Sequence, residues 1–246
     1  MAENTSSDFF IAPSKKGADD FQSLIARDYQ VTITAWLKKG WELFTREAGQ
    51  AVVFSVIAVI AYAAATVLIP FGIGGTVIIF PLVAGFIIIA LMLRRNQKTE
   101  FVRFFWGFRH LVPLLLFTIV STTFILVGIM LLVVPGIYAT VAYLFAPYLI
   151  VDKNIDFWPA MEISRRKVNR HWFGIAAFCV VLLAINIIAC IPFFMGLFVT
   201  LPWTIYASAI AYEDIFKEDS SAGTITAEQQ LPPSGPSSAS GAAGAP

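Results

Sequence analysis

The chain has 246 residues, of which 58% are apolar and only 13% are charged. Soluble globular domains carry about twice that charged fraction, so water is not the main solvent of this protein. Its 17 basic and 16 acidic residues leave a formal net charge of +1, which excludes a bulk electrostatic attraction to nucleic acid.

The two ends of the chain differ from the rest in composition. Residues 1–20 mix Ser, Asp, Lys and Gly without apolar periodicity, which predicts a flexible arm. Ser, Ala, Gly, Gln and Pro dominate residues 217–246, which predicts a disordered tail. The folded part is therefore expected over residues 21–216, as one all-α membrane domain.

Three stretches contain no charged residue: 48–93, 111–151 and 172–212. A bilayer core of about 30 Å needs roughly 20 helical residues, so each stretch is long enough for two spans and too long for one. Proline and glycine near the middle of each stretch indicate a turn, at Pro70, at Pro135 with Gly136, and at Pro192. The sequence therefore predicts three helical hairpins. Their six spans are placed at 51–70, 76–93, 111–134, 137–151, 172–191 and 197–212.

An amphipathic helix is predicted before each hairpin, at the membrane interface. The apolar positions of these three helices are Ile33, Trp36, Leu37, Trp41 and Phe44, then Phe101, Phe104, Phe105 and Phe108, then Phe157, Met161, Ser164, Val168 and Trp172. The chain is thus predicted to repeat one unit three times: an interfacial helix, a span, a turn and a shorter span. A second proline is expected to kink each shorter span, at Pro81, Pro147 and Pro202.

The basic residues predict the orientation. All 17 fall in residues 1–50, 94–110 and 152–171 and in the tail, and the three predicted turns carry none. Because Lys and Arg gather in short cytoplasmic loops, both termini are expected in the cytoplasm. No apolar core precedes Ala51, so no cleavable signal peptide is expected.

The basic residues of the two longer loops are candidate ligands for lipid headgroups, because cationic side chains near the surface attract anionic lipids. Eight of the ten are singled out: Arg94, Arg95, Arg103, Arg109, Arg165, Arg166, Lys167 and Arg170. Membrane lipids, anionic ones included, are the expected partners, nucleic acid is not expected, and a protein partner or a homo-oligomer is left open. The alternative is that the positive-inside rule alone explains these charges.

The predicted spans hold no ionisable side chain, which argues against a proton-coupled pump and against an aspartyl intramembrane protease. No His and Glu pair stands at metal-ligand spacing, so no metal, cofactor or catalytic residue is expected. Polar groups do occur inside the spans at Ser121, Thr122 and Asn186. They either hydrogen-bond within the helix bundle or line a path for a polar solute.

Part of the chain resembles a known family. The residues concerned are Pro135, Gly136, Ile137, Tyr138, Ala146, Pro147, Val151, Asp152, Ala160, Met161, Ser164, Arg165 and Trp172. They are similar to the YciC-like bacterial inner-membrane proteins and to the membrane domain fused to some glycerophosphodiester phosphodiesterases, most clearly over about residues 130–175. The resemblance implies a six-span domain of the bacterial inner membrane. The sequence contains no phosphodiesterase domain, so that activity is not expected.

The sequence is compatible with two functions. It favours a non-enzymatic membrane protein that organises or senses the cytoplasmic leaflet through its basic interfacial helices. The alternative is a transporter or channel for a small uncharged or amphipathic solute.

Overall fold

The computed structural model describes residues 28–68, 73–191 and 194–216, and within these ranges the chain forms helices and no strands. In chain order the α-helices are α1 (Ile33–Arg46), α2 (Ala48–Leu68), α3 (Ile73–Arg94), α4 (Leu111–Leu131), α5 (Val133–Ala142), α6 (Ala146–Lys153), α7 (Phe157–Val168), α8 (Trp172–Cys190) and α9 (Leu197–Phe216). Two 3₁₀ helices, η1 (Phe101–His110) and η2 (Asn169–His171), precede α4 and α8. The predicted arm, the predicted tail, Pro70 and Pro192 lie outside the described residues.

Five helical stretches of the described chain are long and apolar enough to cross a membrane. They are Ala48–Leu68, Val77–Arg94, Phe101–Leu131, Val133–Lys153 and Phe157–Cys190. These stretches coincide with the first five predicted spans. The sixth predicted span, 197–212, falls within α9, a helix of 20 residues that is not among the five.

The second half of helix α9 is surrounded by protein. All residues from Tyr206 to Tyr212 are buried, and because they make about two helical turns, every face of this part of α9 is covered. α1 crosses it at Gly40, where a Cβ atom would lie only 2.6 Å from Cα of Ala207. A helix with protein neighbours tolerates the Thr, Ser and Tyr side chains of α9, which explains its less apolar composition.

The helices divide into outer and inner ones. In the stretches that contain α2, α4 and α8, 22% of the 18 most apolar consecutive residues are buried. The corresponding share is 61% in α3 and 50% in α5 with α6. The outer helices are therefore α2, α4 and α8, and the inner helices are α3, α5 with α6, and α9. α2 packs against α3, α4 against α5, and α8 against α9. That the three pairs are structural repeats stays a prediction.

The turn between α4 and α5 lies earlier than predicted. The chain is extended at Leu132, whereas Pro135 lies in the first turn of α5, where a missing N–H is no loss. Gly136 serves close helix packing, because a Cβ atom there would lie 2.9 Å from the backbone nitrogen of Ile129 on α4. The prediction that Pro135 and Gly136 form the turn is therefore wrong by about one helical turn.

Pro81, Pro147 and Pro202 were predicted to kink the shorter span of each hairpin. Pro81 and Pro202 are inside α3 and α9. The predicted fourth span, 137–151, is two helices, since α5 ends at Ala142 and α6 begins at Ala146 with Pro147 in its first turn.

Candidate functional site

The segment Phe101–His110 was predicted as an α-helix and is a 3₁₀ helix that continues directly into α4. A 3₁₀ helix has three residues per turn, so side chains three positions apart share one edge, and runs longer than three or four residues are uncommon. The ten residues of η1 therefore form three edges. They consist of residues 101, 104, 107 and 110, of residues 102, 105 and 108, and of residues 103, 106 and 109.

The first edge attaches η1 to the bundle. Phe104 and Gly107 are buried. The ring of Phe104 stacks on that of Phe54 in α2, with centroids 4.4 Å apart, and meets Phe86 of α3 edge to face at 5.5 Å. Aromatic contacts of this kind stabilise a packed core beyond their buried area.

Backbone contact between η1 and α3 sets the rotation of η1 about its own axis. A Cβ atom on Gly107 would lie 2.0 Å from the carbonyl oxygen of Pro81, and one on Gly85 would lie 2.1 Å from that of Phe104. Because neither glycine carries a side chain, the two backbones touch directly. This contact decides which edges of η1 face outward.

The second edge is apolar and faces outward. Val102 is 65% exposed, Phe105 41% and Phe108 40%. The sequence placed Phe105 and Phe108 on one face with Phe104, which follows from an α-helical period of 3.6 residues and fails for a period of three. Phe105 nevertheless meets the Phe54 ring edge to face at 5.5 Å, as Phe104 also contacts that ring, so the prediction is wrong for Phe108 alone.

The third edge combines two cations with an aromatic ring. The guanidinium carbons of Arg103 and Arg109 lie 4.8 and 5.9 Å from the ring centroid of Trp106, within cation–π distance. Among the described residues neither arginine pairs with a carboxylate. The Nε atom of Arg103 is buried without a hydrogen-bond partner there, and its Nη1 contacts only the sulfur of Met92, at 3.8 Å. We call Arg103, Trp106 and Arg109 the cationic edge.

Arg94 and Arg95 come from the same predicted loop but lie in an ionic cluster. Arg95 binds Asp152 of α6 at 2.6 Å and Glu213 of α9 at 3.3 Å. Arg94 lies 3.1 Å from the other oxygen of Glu213, and the Tyr212 hydroxyl donates to Asp152 at 2.9 Å. These five residues are the end cluster, because they join the ends of the three inner helices.

Burial and charge oppose each other in the end cluster. Burial by itself would lower the pKa of Arg95, but hydrogen bonding and charge from Asp152, together with Glu213, raise it overall. Burial raises the pKa of Glu213 above its ordinary value, although Arg95 and Arg94 act in the opposite direction. The burial of Glu213 in the cluster therefore disfavours the charged form of its carboxylate.

The basic residues of α7 are also engaged. Arg165 places two nitrogens 2.9 Å from the Glu162 carboxylate, and Arg166 donates to the same carboxylate. Lys167 is only 1% exposed, and its ammonium lies 5.9 Å from the ring centroid of Tyr29. It therefore does not share a solvent-facing side with Arg166.

Arg170 lines an open cavity of about 690 Å³ between the described start of the chain and the start of α8. On its wall, His171 Nε2 lies 2.6 Å from a carboxylate oxygen of Asp28. This hydrogen bond and that from the backbone N–H of Tyr29 hold the pKa of Asp28 below its ordinary value. Burial raises the pKa of Tyr29 to about 12. These contacts join the start of the described chain to α8.

The polar groups inside the spans bond to helices. Thr200 of α9 donates to the side-chain carbonyl of Asn186 in α8 at 3.0 Å. Ser121 donates to the backbone oxygen of Thr118 in its own helix at 3.3 Å, and Thr122 is exposed on α4. For Asn186 and Ser121 these bonds correspond to the first of the two alternatives that the sequence left open.

Comparison with family models, curated proteins and solved structures finds no match to this chain. Its assignment rests on the five long apolar stretches among its described helices. The protein is a multi-pass helical membrane protein.

Sequence reasoning missed the end cluster, although the sequence contains a signal for it. Arg94, Asp152 and Glu213 are the residues that immediately follow the three charge-free stretches. If each stretch holds one outward and one returning helix, the three residues end at the same side of the bundle. Their opposite charges then favour a direct contact.

Trp106 was missed for a different reason. Residues three positions apart are neighbours in an α-helix as well as in a 3₁₀ helix, so the spacing of Trp106 from Arg103 and Arg109 was a usable signal, but the candidates were selected by charge alone. Gly107 and Gly85, at which the backbones of η1 and α3 touch, were likewise not selected as candidates.

Proposed function

We propose that this membrane protein binds anionic phospholipid headgroups through the cationic edge, and that it acts without catalysis as an organiser or sensor of the cytoplasmic leaflet. One observation carries the proposal. Arg103 and Arg109 flank an exposed Trp106 ring and have no carboxylate partner within the described chain. Arg95 and Arg165, in contrast, are neutralised by acidic side chains.

The chemistry of the edge suits a phosphate group. A guanidinium binds phosphate through two parallel N–H donors, and Arg109 is exposed with no carboxylate partner in the described chain. Tryptophan side chains are enriched at the interface between membrane and water. The neighbouring apolar edge, with Val102, Phe105 and Phe108, would pack among the first carbons of the acyl chains.

The proposal includes six spans with both termini in the cytoplasm. α9, at 20 residues, is long enough for the sixth span, and its own helix neighbours stand in for lipid around it. The inner helices end together in the end cluster, next to the basic segment 94–110 that the positive-inside rule assigns to the cytoplasm. Membership of the YciC-like family and a bacterial inner-membrane location stay predictions.

The test is lipid selection by the purified protein. Wild type and the double variant Arg103→Gln/Arg109→Gln are reconstituted in discs that contain phosphatidylglycerol and phosphatidylcholine, and the lipids retained after transfer to detergent are counted by native mass spectrometry. Each basic residue near a membrane surface contributes about 1 kcal/mol toward anionic lipid, so the double variant should lose selectivity about tenfold or more.

The matched control is Lys38→Gln/Lys39→Gln, which removes the same charge from two exposed positions of α1. It should retain most of the selectivity for phosphatidylglycerol. Equal losses in both double variants would reduce the effect to net charge, and an unchanged Arg103→Gln/Arg109→Gln variant would overturn the proposal.

A further inference from the structure

A small cavity separates the outer helix α4 from the amphipathic helix α7. Its volume is about 190 Å³, and it is lined by Phe124 of α4, Tyr143 of the α5–α6 turn, and Trp158, Met161, Glu162 and Arg165 of α7. Phe124 and Trp158 are 46% and 59% exposed, so the cavity opens at the edge of the bundle.

Three of the lining side chains are aromatic. The rings of Phe124 and Tyr143 lie 6.5 Å apart and are tilted by 42°, and Trp158 faces the same space. The Tyr143 hydroxyl makes no hydrogen bond within the described chain, although it is half-buried. Aromatic rings around one small space can hold an ammonium group, because the face of each ring is negative and attracts a cation.

The polar wall of the cavity carries charges of both signs, from Glu162 and Arg165. Glu162 shares its carboxylate with Arg165 and Arg166, so one negative charge stands against two positive ones. This excess of positive charge disfavours a bare cation and favours a ligand that brings an anion next to its ammonium. Arg165 uses two of its five N–H groups on Glu162 and has the Tyr138 hydroxyl as a further hydrogen-bond partner, which leaves two N–H groups to bind that anion.

We propose that this cavity binds a zwitterion in which an ammonium is joined to a phosphate, as in phosphocholine and phosphoethanolamine headgroups. The ammonium lies among Phe124, Tyr143 and Trp158, and the phosphate lies at Arg165. The site is separate from the cationic edge, and it selects zwitterionic rather than anionic lipid.

The size of the cavity agrees with this ligand. A dry cavity of about 150 Å³ holds a benzene molecule, and a trimethylammonium group has fewer non-hydrogen atoms than benzene. The space of about 190 Å³ therefore accepts the ammonium end, with the phosphate at the mouth beside Arg165.

The experiment is calorimetric titration of the full-length protein in a neutral detergent with phosphocholine and phosphoethanolamine, and separately with choline and with inorganic phosphate. The intact zwitterions should bind more tightly than either half. Trp158→Ala and Phe124→Leu should weaken binding about fivefold or more each, as loss of one aromatic face predicts. Arg165→Gln should weaken the binding of phosphocholine but strengthen that of choline, because it removes the excess positive charge that disfavours a bare cation.

Phe173→Leu is the matched control, because Phe173 is 84% exposed and does not line the cavity. It should bind as wild type does, and Trp158→Ala should keep the wild-type melting temperature. Equal binding of inorganic phosphate and phosphocholine would overturn the proposal, as would binding that none of the three cavity variants changes.

A second arm separates the two sources of the headgroup. Native mass spectrometry from discs that contain phosphatidylcholine or phosphatidylethanolamine identifies a lipid if retention is lost in Trp158→Ala. Binding of soluble phosphocholine without lipid retention identifies a free solute. Arg103→Gln/Arg109→Gln should leave both results unchanged, so this site and the cationic edge can fail independently.

Discussion

Arg95 and Arg103 stand in one short basic segment, yet one is part of the end cluster and the other is part of the cationic edge. Arg95 contacts carboxylates that are 57 and 118 positions away in sequence, on two other inner helices. Arg103 contacts the neighbouring ring of Trp106, and no carboxylate of the described chain reaches it. The same residue type thus pairs with distant carboxylates in one place and with a neighbouring aromatic ring in the other.

A basic loop therefore cannot be interpreted from its charge alone. The end cluster exists because α6 and α9 end in acidic residues at the level where α3 ends in arginine. The cationic edge exists because a three-residue period lines up two arginines with a tryptophan on one edge of η1, where Arg103 also reaches Met92 of α3. Acidic residues that come from distant segments, together with the helix period, decide the role of each arginine.

The largest effect is expected from Gly107→Ala, which should detach η1 from α3. The new Cβ atom would lie 2.0 Å from a carbonyl oxygen and 2.8 Å from the backbone nitrogen of Gly85, and neither backbone can move aside easily. Overpacking of a tight site costs about 1–3 kcal/mol and occasionally more, so a large fall in melting temperature and loss of anionic lipid selectivity are expected. Thermal unfolding in detergent measures the first and lipid retention the second.

Gly49→Ala is the control for this substitution. It lies in α2 with no atom within 4 Å of the added Cβ, and Ala is the better helix former by about 1 kcal/mol. The variant should be as stable as wild type or more stable. A Gly107→Ala protein with unchanged stability would mean that the contact between η1 and α3 does not hold the cationic edge in place.

An intermediate effect is expected from Arg95→Gln, which breaks the end cluster. Asp152 is only 6% exposed in its side chain, so loss of Arg95 leaves a buried carboxylate with the Tyr212 hydroxyl as its remaining close partner. Hydrogen bonds to charged groups contribute about 1.5–3 kcal/mol, and a destabilisation on that order is expected. A double-mutant cycle with Asp152→Asn measures the coupling free energy directly.

Arg103→Gln is the comparison variant for Arg95→Gln. Because no carboxylate loses a partner, its free energy of unfolding should stay within about 0.5 kcal/mol of wild type. Similar destabilisation by both substitutions would remove the distinction between the end cluster and the cationic edge.

Much of the helical architecture could be predicted because it depends on local composition. The charge-free stretches predict the apolar helices, and the five stretches of spanning length coincide with five predicted spans. The failures lie where tertiary contacts override local signals. Pro135 and Gly136 look like a turn, but a proline suits a first helical turn and a glycine suits close packing on α4, so the turn moved to Leu132.

The candidate site could be predicted less well than the fold. Sequence reasoning selected the basic residues by type, and it could not tell that Lys167 is buried or that Glu162 neutralises its neighbours. It also assumed an α-helical period over Phe101–His110, and the close approach of this 3₁₀ helix to α3 at Gly107 and Gly85 joins segments that no local pattern connects.

The smallest effect, a pH dependence at Glu213, asks whether ion pairing or burial dominates in the end cluster. Burial raises the folded-state pKa of Glu213 above its ordinary value of 4.5. The folded state then binds the proton more tightly than the unfolded state, so the stabilisation is fully present below about pH 4.5 and is lost as the pH rises through the raised pKa. The melting temperature of wild type should therefore fall relative to Glu213→Gln as the pH rises through this window.

Asp28 does not obscure this difference. Its pKa is lowered, so its contribution is lost as the pH falls, but it is present in both proteins and cancels when they are compared at each pH. If the melting temperature of wild type instead rose relative to that of Glu213→Gln with increasing pH, the charges of Arg94 and Arg95 would affect the pKa of Glu213 more than burial does. The end cluster would then stabilise the fold through its charges, and the contrast with the unpaired arginines of the cationic edge would become larger.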